Sequence, residues 1–486
     1  MEVLQRTANR GSISTGPYQI TNSCKFEPDN GERFDTGDKF TNYSSVRKFT
    51  VSGWFKRTEL SVQSVIWFNV NTGTSVTLQF EAGDYLSILF QDNVGNGVES
   101  YAKTSALFRD TSAWYHVVLA VDTTDGTAAD RTKIYVNGVN QTLAQGNASY
   151  DTFPAQNYDV PLQTRHYLLG YDGSDNGFRG YAAEYYFLDG ITASPTDFGE
   201  YDEDSGIWKP IEYTGGFGNE GYYLDFEDAS ALGKDVSSNN QGNFVHYGGS
   251  AADQATDTPT NNFATWNVLD VTRTNTQGVD MVEGAMSIKH RSSNGWTGTC
   301  STMAVSNGKW YWEGEVRVTN GGSMWGAYPV ATRQANVFFD TYIGAAEGGG
   351  YDSGAAFYDN DDGYYHDNTF TACTISGSTF NTQAGDVVMI AVDMDNNKLY
   401  AGVNGNWCNS SNNTLPNATG ITLSDEPHFL AAATYDANTT NSYNLGGFTT
   451  DTISSAETDA NGYGTFEYAP PSGYYALCTK NLAEFG

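Results

Sequence analysis

Between residues 385 and 407 the chain places an apolar run, a turn and a second alternating run in unbroken succession. Residues 386–392 are too short for a typical helix and rich in β-branched side chains, the pattern of a strand covered on both faces. Residues 393–397 turn the chain, and Lys398–Val403 returns with Leu399, Ala401 and Val403 on one face. Asn404 and Gly405 tolerate positive φ and supply a second tight turn. The arrangement recurs in the N-terminal half: Trp114–Asp122, a polar excursion, residues 133–136, then Asn137 and Gly138. A chain with two such hairpins is expected to build two sandwiches around them, with Asp393 and Asp395 as turn residues of the scaffold.

At 486 residues the chain exceeds what one core usually serves. Its 53 Gly, 32 Tyr, 26 Phe and 10 Trp describe short strands joined by many turns, an all-β composition. A formal charge of -32 opposes phosphate backbones and anionic membrane surfaces, so nucleic acid is not an expected partner. No apolar stretch approaches the roughly 18 residues that span a bilayer, and membrane insertion is not expected. Residues 1–6 lack the apolar core of a secretory signal, so export would need another route, such as lysis. Cys24, Cys300, Cys373, Cys408 and Cys478 are scattered and odd in number, which argues for buried thiols and against a dense disulfide framework. A long-range pair among the last four stays open.

Residues 1–23 show no periodicity and are expected to form an N-terminal arm. Strand-like pieces then follow at short intervals. The succession Gly53-Trp54-Phe55, Trp114-Tyr115-His116-Val117-Val118, Lys133-Ile134-Tyr135-Val136-Asn137-Gly138 and Phe178-Arg179-Gly180-Tyr181-Ala182-Ala183-Glu184 resembles the concanavalin A-like domain of the laminin G type. That resemblance implies a β-sandwich over 24–236. Residues 237–262, rich in Asn, Ser, Gly and Asp, read as a surface linker. The remainder, 263–486, carries Gly308-Lys309-Trp310-Tyr311-Trp312-Glu313, the hairpin at 385–407 and the closing Pro470-Pro471-Ser472-Gly473-Tyr474-Tyr475-Ala476-Leu477-Cys478-Thr479. It is similar to the SPRY domain, another two-sheet sandwich, from which it departs in the Gly-rich segment 345–354. The fold expected is thus all-β, two antiparallel β-sandwich domains of jelly-roll or concanavalin A-like type in tandem.

Some concanavalin A-like proteins hydrolyse glycans with Glu-x-Asp-x-Glu on one strand, where alternate residues share a face. The nearest approach here, 223–227, puts Tyr223 at the nucleophile's place ahead of Asp225 and Glu227, so no catalytic residue and no enzymatic activity are expected. No His cluster suggests zinc, and no Gly-x-Ser-x-Gly elbow appears. Hard oxygen ligands for calcium gather at Asp172, Asp175 and Asn176 and again at 359–363, although acidic turns are ordinary on so acidic a chain. Calcium is the one cofactor considered. Sugar rings stack on aromatic faces while nearby carboxylates and amides bind hydroxyls. The expected ligand-binding set is Tyr171, Asp172 and Asp175 in the first domain and Trp325, Tyr358, Asp359, Asp361, Tyr364 and Tyr365 in the second. Trp54, Trp67, Trp114, Trp310 and Trp312 interrupt strand patterns and are assigned to the cores.

Residues 257–267 resemble a junction between these two domain types in bacteriophage virion proteins. The resemblance implies a structural protein of the virion surface, a capsid decoration, appendage or tail-fibre component made in the host cytoplasm. Its partners would be other virion proteins and host-surface glycans, met through loops at the sandwich ends. A homo-oligomer accords with that setting, although no heptad enforces one. The rivals are a secreted polysaccharide-degrading enzyme, against which Tyr223 speaks, and a cellular adhesin or peptide-binding module.

Overall fold

The computed structural model describes residues 18–27, 31–71, 74–91, 99–171, 176–203, 205–270, 279–290, 295–317, 322–334, 342–345, 352, 354–379, 381–435 and 440–486. The chain is all-β and divides into two compact units that part between Thr260 and Asn261. Among the described residues no helix is long and apolar enough to cross a membrane.

The first unit opens with β1 (Ser23–Phe26), β2 (Arg33–Asp35), β3 (Lys48–Arg57), β4 (Ser64–Asn71), β5 (Thr74–Phe80) and β6 (Leu86–Gln91). It continues through β7 (Ser100–Thr104), β8 (Trp114–Asp122), β9 (Thr132–Val136), β10 (Val139–Asn140), β11 (Leu143–Gln145) and β12 (His166–Leu168). It ends with β13 (Gly180–Asp189), β14 (Gly199–Tyr201), β15 (Trp208–Pro210), β16 (Tyr222–Leu224), β17 (Val245–Tyr247) and β18 (Gln254–Ala255). One antiparallel sheet runs β10-β9-β8-β3-β13-β1-β18, with β16 also on β13, and the facing sheet runs β11-β7-β6-β5-β4-β12-β2-β17. Phe49, Val51 and Phe55 alternate inward from β3 against Trp67, Leu78 and Phe80. The tight turn after β9 forms as its sequence dictates: Asn137 and Gly138 take φ of 48° and 79° and return the chain as β10.

The second face of β3 is also buried, as its unbroken burial pattern records. His116 donates or accepts there at both ring nitrogens: the Trp208 indole N–H donates to Nδ1 at 3.0 Å, and Nε2 meets Ser52 Oγ at 3.0 Å. Because Nδ1 accepts, Nε2 carries the proton, and burial pushes the imidazole down to about 3, so the ring is neutral. Lys56 Nζ reaches Asp257 at 2.6 Å, and the Trp114 indole donates to the same carboxylate at 3.2 Å.

Two expected boundaries move. Of the expected linker 237–262, residues 237–260 are the last part of the first unit: Val245 pairs with Asp35 and Gln254 with Cys24. Their polar composition is spent on buried hydrogen bonds, such as Ser23 Oγ to the Asp257 carbonyl at 2.6 Å. Most of the expected arm, 1–23, lies outside the described residues. Its last residues belong to the sandwich, since Ile20 is buried and accepts from Thr260 Oγ1 at 2.8 Å.

The second unit begins with β19 (Val279–Val282), β20 (Ser287–His290), β21 (Thr297–Val305), β22 (Lys309–Glu315), β23 (Ser323–Pro329) and the short α1 (Val330–Gln334). There follow β24 (Ala355–Tyr358), β25 (Gly363–His366), β26 (Thr369–Ala372), β27 (Val387–Asp393), β28 (Lys398–Val403) and β29 (Asn406–Trp407). The last elements are β30 (Ile421–Thr422), β31 (His428–Thr434), β32 (Thr440–Ser442), β33 (Tyr475–Ala476) and α2 (Thr479–Phe485). One sheet runs β21-β31-β23-β24-β25-β26, the other β29-β28-β27-β22-β33 with β30 on β28, and β19-β20-β32 is a smaller third. Trp266, Trp312, Trp325 and Tyr443 fill the space between them, with Trp266 5.2 Å from Tyr443 and 5.5 Å from Trp312. The β27–β28 hairpin pairs Val388 with Val403 and Val392 with Leu399. Its turn carboxylates serve the scaffold: Asp393 binds Lys309 at 2.8 Å and Asp395 accepts the Gly308 N–H at 2.8 Å.

Asp257→Ala should destabilise the chain by about 3–5 kcal/mol in urea denaturation, because it removes the carboxylate that neutralises the buried Lys56 ammonium. A loss below about 1 kcal/mol would mean that residues 237–262 are as dispensable as a linker.

Candidate functional site

In the second unit the sheet that ends in β26 carries an unusual outer face. One register row across it reads Cys300, Ala431, Gly326, Ala356, Tyr365, Phe370. Four small residues therefore precede two large rings on the same face. A Cβ at Gly326 would meet the Ala355 carbonyl at 2.1 Å, so this central position accepts nothing larger. Over this floor lie the half-buried Trp296, Tyr342, Tyr358 and Tyr365.

The rings form a continuous array. Trp296 stands 5.5 Å from Tyr435, 5.5 Å from Tyr358 and 5.7 Å from Tyr342. Tyr365 stands 5.6 Å from Tyr358, 5.1 Å from Tyr342 and 5.4 Å from Phe370. Phe370 and Tyr435 are 41% and 37% exposed, which leaves ring surface open to a ligand. Polar groups edge the array: the Tyr365 hydroxyl donates to Asp361 Oδ2 at 2.6 Å and the Tyr342 hydroxyl to Asn368 Oδ1 at 3.1 Å. Burial and the Asp361 carboxylate push the Tyr365 phenol up, so it stays a neutral donor. Asp367 and Asn368, at φ 48° and 55°, make the two-residue turn that returns β26 alongside β25 and so places Phe370 beside Tyr365.

Of the residues expected here, Tyr358, Asp361 and Tyr365 meet in this array, and three do not. Trp325 is fully buried on the inward face of β23, near Phe357 and Tyr443. Tyr364 alternates inward from Tyr365, and its hydroxyl crosses the core to accept the Ala401 N–H at 2.7 Å. Asp359 is buried and accepts the Ser323 N–H at 2.8 Å, which ties the β24–β25 turn to β23. Trp296, Tyr342, Phe370 and Tyr435 were not anticipated, because they lie far apart in sequence and share no periodicity.

The acidic turn does not gather its oxygens on one point. Asp359 serves Ser323, Asp361 serves Tyr365, and Asp362 accepts the Thr382 N–H and hydroxyl at 2.9 Å each. In the first unit Asp172 and Asp175 lie outside the described residues. Asn176 donates to the Tyr171 hydroxyl at 3.2 Å, and Tyr171 packs 4.9 Å from Phe68. A cleft of about 430 Å³ lies between 191–197 and 211–216, with Asp197, Glu212 and Tyr213 on its wall. The Tyr213 ring is already stacked on Phe198 at 4.9 Å and its hydroxyl donates to the Gly216 carbonyl, so little of it remains for a ligand.

The strand read for glycosidase carboxylates is β16. The Tyr223 hydroxyl lies 2.8 Å from each oxygen of Glu184, whose Oε2 also accepts from Tyr18 and Tyr186 at 2.6 Å. Glu184 occupies a bulge of β13 at φ 52°, which turns its side chain into this tyrosine cluster. Burial pushes the carboxyl up to about 7, outweighing three donors that favour its charged form. The folded state thus holds this proton more tightly than the unfolded chain. Its contribution to stability is complete below about pH 4.5 and is lost as pH rises through 7. In urea denaturations from pH 4.5 to 8, the wild type should lose about 2–3 kcal/mol relative to Glu184→Gln across that window.

Residues 30–189 match the concanavalin A-like lectin/glucanases superfamily, in its laminin G branch. Among curated proteins no sequence matches the chain. Similar solved structures include the SPRY domain of human HERC1, at 14% identity and a TM-score of 0.27 over 37% of this chain and 96% of that one. Domains LG4-5 of the mouse laminin alpha1 chain align at 12% identity and a TM-score of 0.27, over 86% of this chain and 84% of that one. A heptameric SAP-like pentraxin from Limulus polyphemus aligns at 14% identity and a TM-score of 0.27, over 36% and 80%.

Proposed function

We propose that the chain is a non-enzymatic binding protein that takes carbohydrate on the aromatic face of its second unit. The observation that carries this reading is the array of Trp296, Tyr342, Tyr358, Tyr365, Phe370 and Tyr435 over a floor of small residues. Pyranose rings present C–H faces that pack on aromatic faces, while their hydroxyls donate hydrogen bonds to acceptors such as Asp361 Oδ2 and Asn368 Oδ1. The lectin-type family matched by residues 30–189 supports a second binding unit in the same chain. The preference for binding over hydrolysis rests on Tyr223 at the nucleophile's place and on the enclosure of Glu184 by hydroxyl groups. No cofactor is needed for such recognition.

The finer reading is a structural protein of the bacteriophage surface, a capsid decoration or tail-fibre component facing host glycans, with other virion proteins as partners. It is supported by the likeness of residues 257–267 to virion proteins and by a net charge of -32, which suits display in solvent. Many copies on one particle, or a homo-oligomer, would turn weak single-site affinity into avidity.

On a glycan array the full chain should retain a defined set of sugars, and Trp296→Ala and Tyr365→Ala should each weaken that binding by roughly 30-fold, about 2 kcal/mol. Both rings are half-buried, so circular dichroism should report an intact β fold in each variant. Binding unchanged in both variants would move the site elsewhere, and release of reducing sugar from a retained glycan would make the protein a hydrolase. Its absence from purified particles would sink the virion reading alone.

A further inference from the structure

Two of the five cysteines occupy a position that the binding reading does not use. Cys373 follows directly on β26, and Cys408 follows β29. Both are buried, and the two chain segments that carry them run side by side. The backbone around them is held in register: the Asn409 N–H donates to the Thr374 carbonyl at 2.8 Å, and Asn409 Oδ1 accepts the Thr374 N–H at 2.8 Å. Each cysteine is itself anchored, Cys373 N–H to the Asp362 carbonyl at 3.1 Å and Cys408 N–H to the Ala401 carbonyl at 2.9 Å. Tyr364 completes the cluster, with its hydroxyl on the Ala401 N–H. Cys24, Cys300 and Cys478 are placed apart from this pair, on β1, on the aromatic face and at the start of α2.

We propose that Cys373 and Cys408 are a disulfide site that joins the two sheets of the second unit when the protein meets an oxidising environment. The co-reactant is a low-molecular-weight disulfide such as oxidised glutathione. One cysteine thiolate attacks it and releases one glutathione thiol; the second cysteine then attacks the mixed disulfide and releases the other. The Sγ–Sγ bond forms, both cysteines are oxidised, and one glutathione disulfide is reduced to two thiols, with the two cysteine protons accounted for in those thiols. Because the sulfurs are buried, the exchange takes place as the unit folds or opens locally.

The bond would matter for one element above all. β26 is the edge strand of the aromatic sheet, all four of its residues are exposed, and it is held along its length by β25 alone. Crossing from its end to the strand pair β28–β29 closes a loop that contains the whole β27–β28 hairpin. Such a closure removes freedom from the unfolded chain and fixes the edge on which Phe370 stands.

The test uses the full chain, incubated with oxidised glutathione and then denatured, alkylated and digested for mass spectrometry. The expected result is a peptide pair linked through Cys373 and Cys408, with Cys24, Cys300 and Cys478 alkylated. Alkylation of all five cysteines, a link between any other two, or a stable glutathione adduct on either residue would overturn the proposal. In thermal denaturation, dithiothreitol should lower the Tm of the oxidised protein by about 5–10 °C. Cys408→Ser should abolish that difference and Cys300→Ser should keep it. The mass-spectrometric arm needs no variant, so it decides the matter even if Cys408→Ser does not fold.

Discussion

Buried carboxylates that accept backbone N–H groups hold this protein's covering segments in place. A loop laid over a sheet brings N–H groups out of water with no strand partner to take them. Here Asp189 accepts from the N–H groups of Ser44, Asn219 and Glu220 at 2.6–3.2 Å, and Asp235 from those of Tyr223, Ser237 and Gln241 at 2.6–2.9 Å. In the second unit Glu313 takes the N–H groups of Glu467 and Tyr468 at 2.8 and 2.9 Å, and Asp459 those of Asn461, Tyr463 and Ala476 at 2.9–3.0 Å. One side chain thereby fixes two or three strangers to the sheet at once, and charge-assisted bonds of this kind are the stronger ones. Part of the chain's acidity is therefore structural, and in the turn at 359–363 the carboxylates of Asp359, Asp361 and Asp362 go to separate partners.

The same device explains which faces are covered and which are not. The sheet built on β3 has its outer face closed by residues 191–217, where Tyr186, Leu188, Ala193 and Phe198 form a second small core. The sheet built on β27 is closed likewise by residues 407–418 and 463–478, with Tyr311, Met389 and Ala391 beneath them. The sheet built on β5 carries on its outer face a polar network in which Glu81 accepts from Gln79, Ser87 and Tyr101 at 2.7–2.9 Å, and beside it the rings of Phe68, Tyr167 and Tyr171 pack on one another. Among the described residues the β23 sheet departs from both solutions. Its outer face is apolar, and what lies on it is a set of half-buried rings.

The two hairpins, the tryptophan cores and the all-β class were legible because each rests on local patterns: alternation, β-branched runs and Asn-Gly turns. The end of the first unit was not, since residues 245–255 are polar and become strands only by pairing with β1 and β2, more than 200 residues away. The aromatic face was half legible. Tyr358, Asp361 and Tyr365 announce themselves in one polar stretch, but the same stretch offers Asp359 and Tyr364, which the two-residue alternation of β24 and β25 turns to the interior. The floor was invisible, because the row from Cys300 to Phe370 takes one residue from each of six strands.

That row is also why the face suits a ligand better than a covering loop. Its low side, where Ala431, Gly326 and Ala356 are buried, is packed under Trp296 and Tyr342, while Phe370 on the high side stays exposed. A flat, rigid ring laid on the array meets the exposed aromatic faces of Phe370 and Tyr435, and loses little conformational entropy in doing so. The polar groups at the margin, Asp361 and Asn368, are each engaged by one tyrosine hydroxyl and keep lone pairs facing outward for others. Among the described residues the face thus combines exposed aromatic rings with acceptors at its rim, the pairing of chemistries that a sugar ring complements.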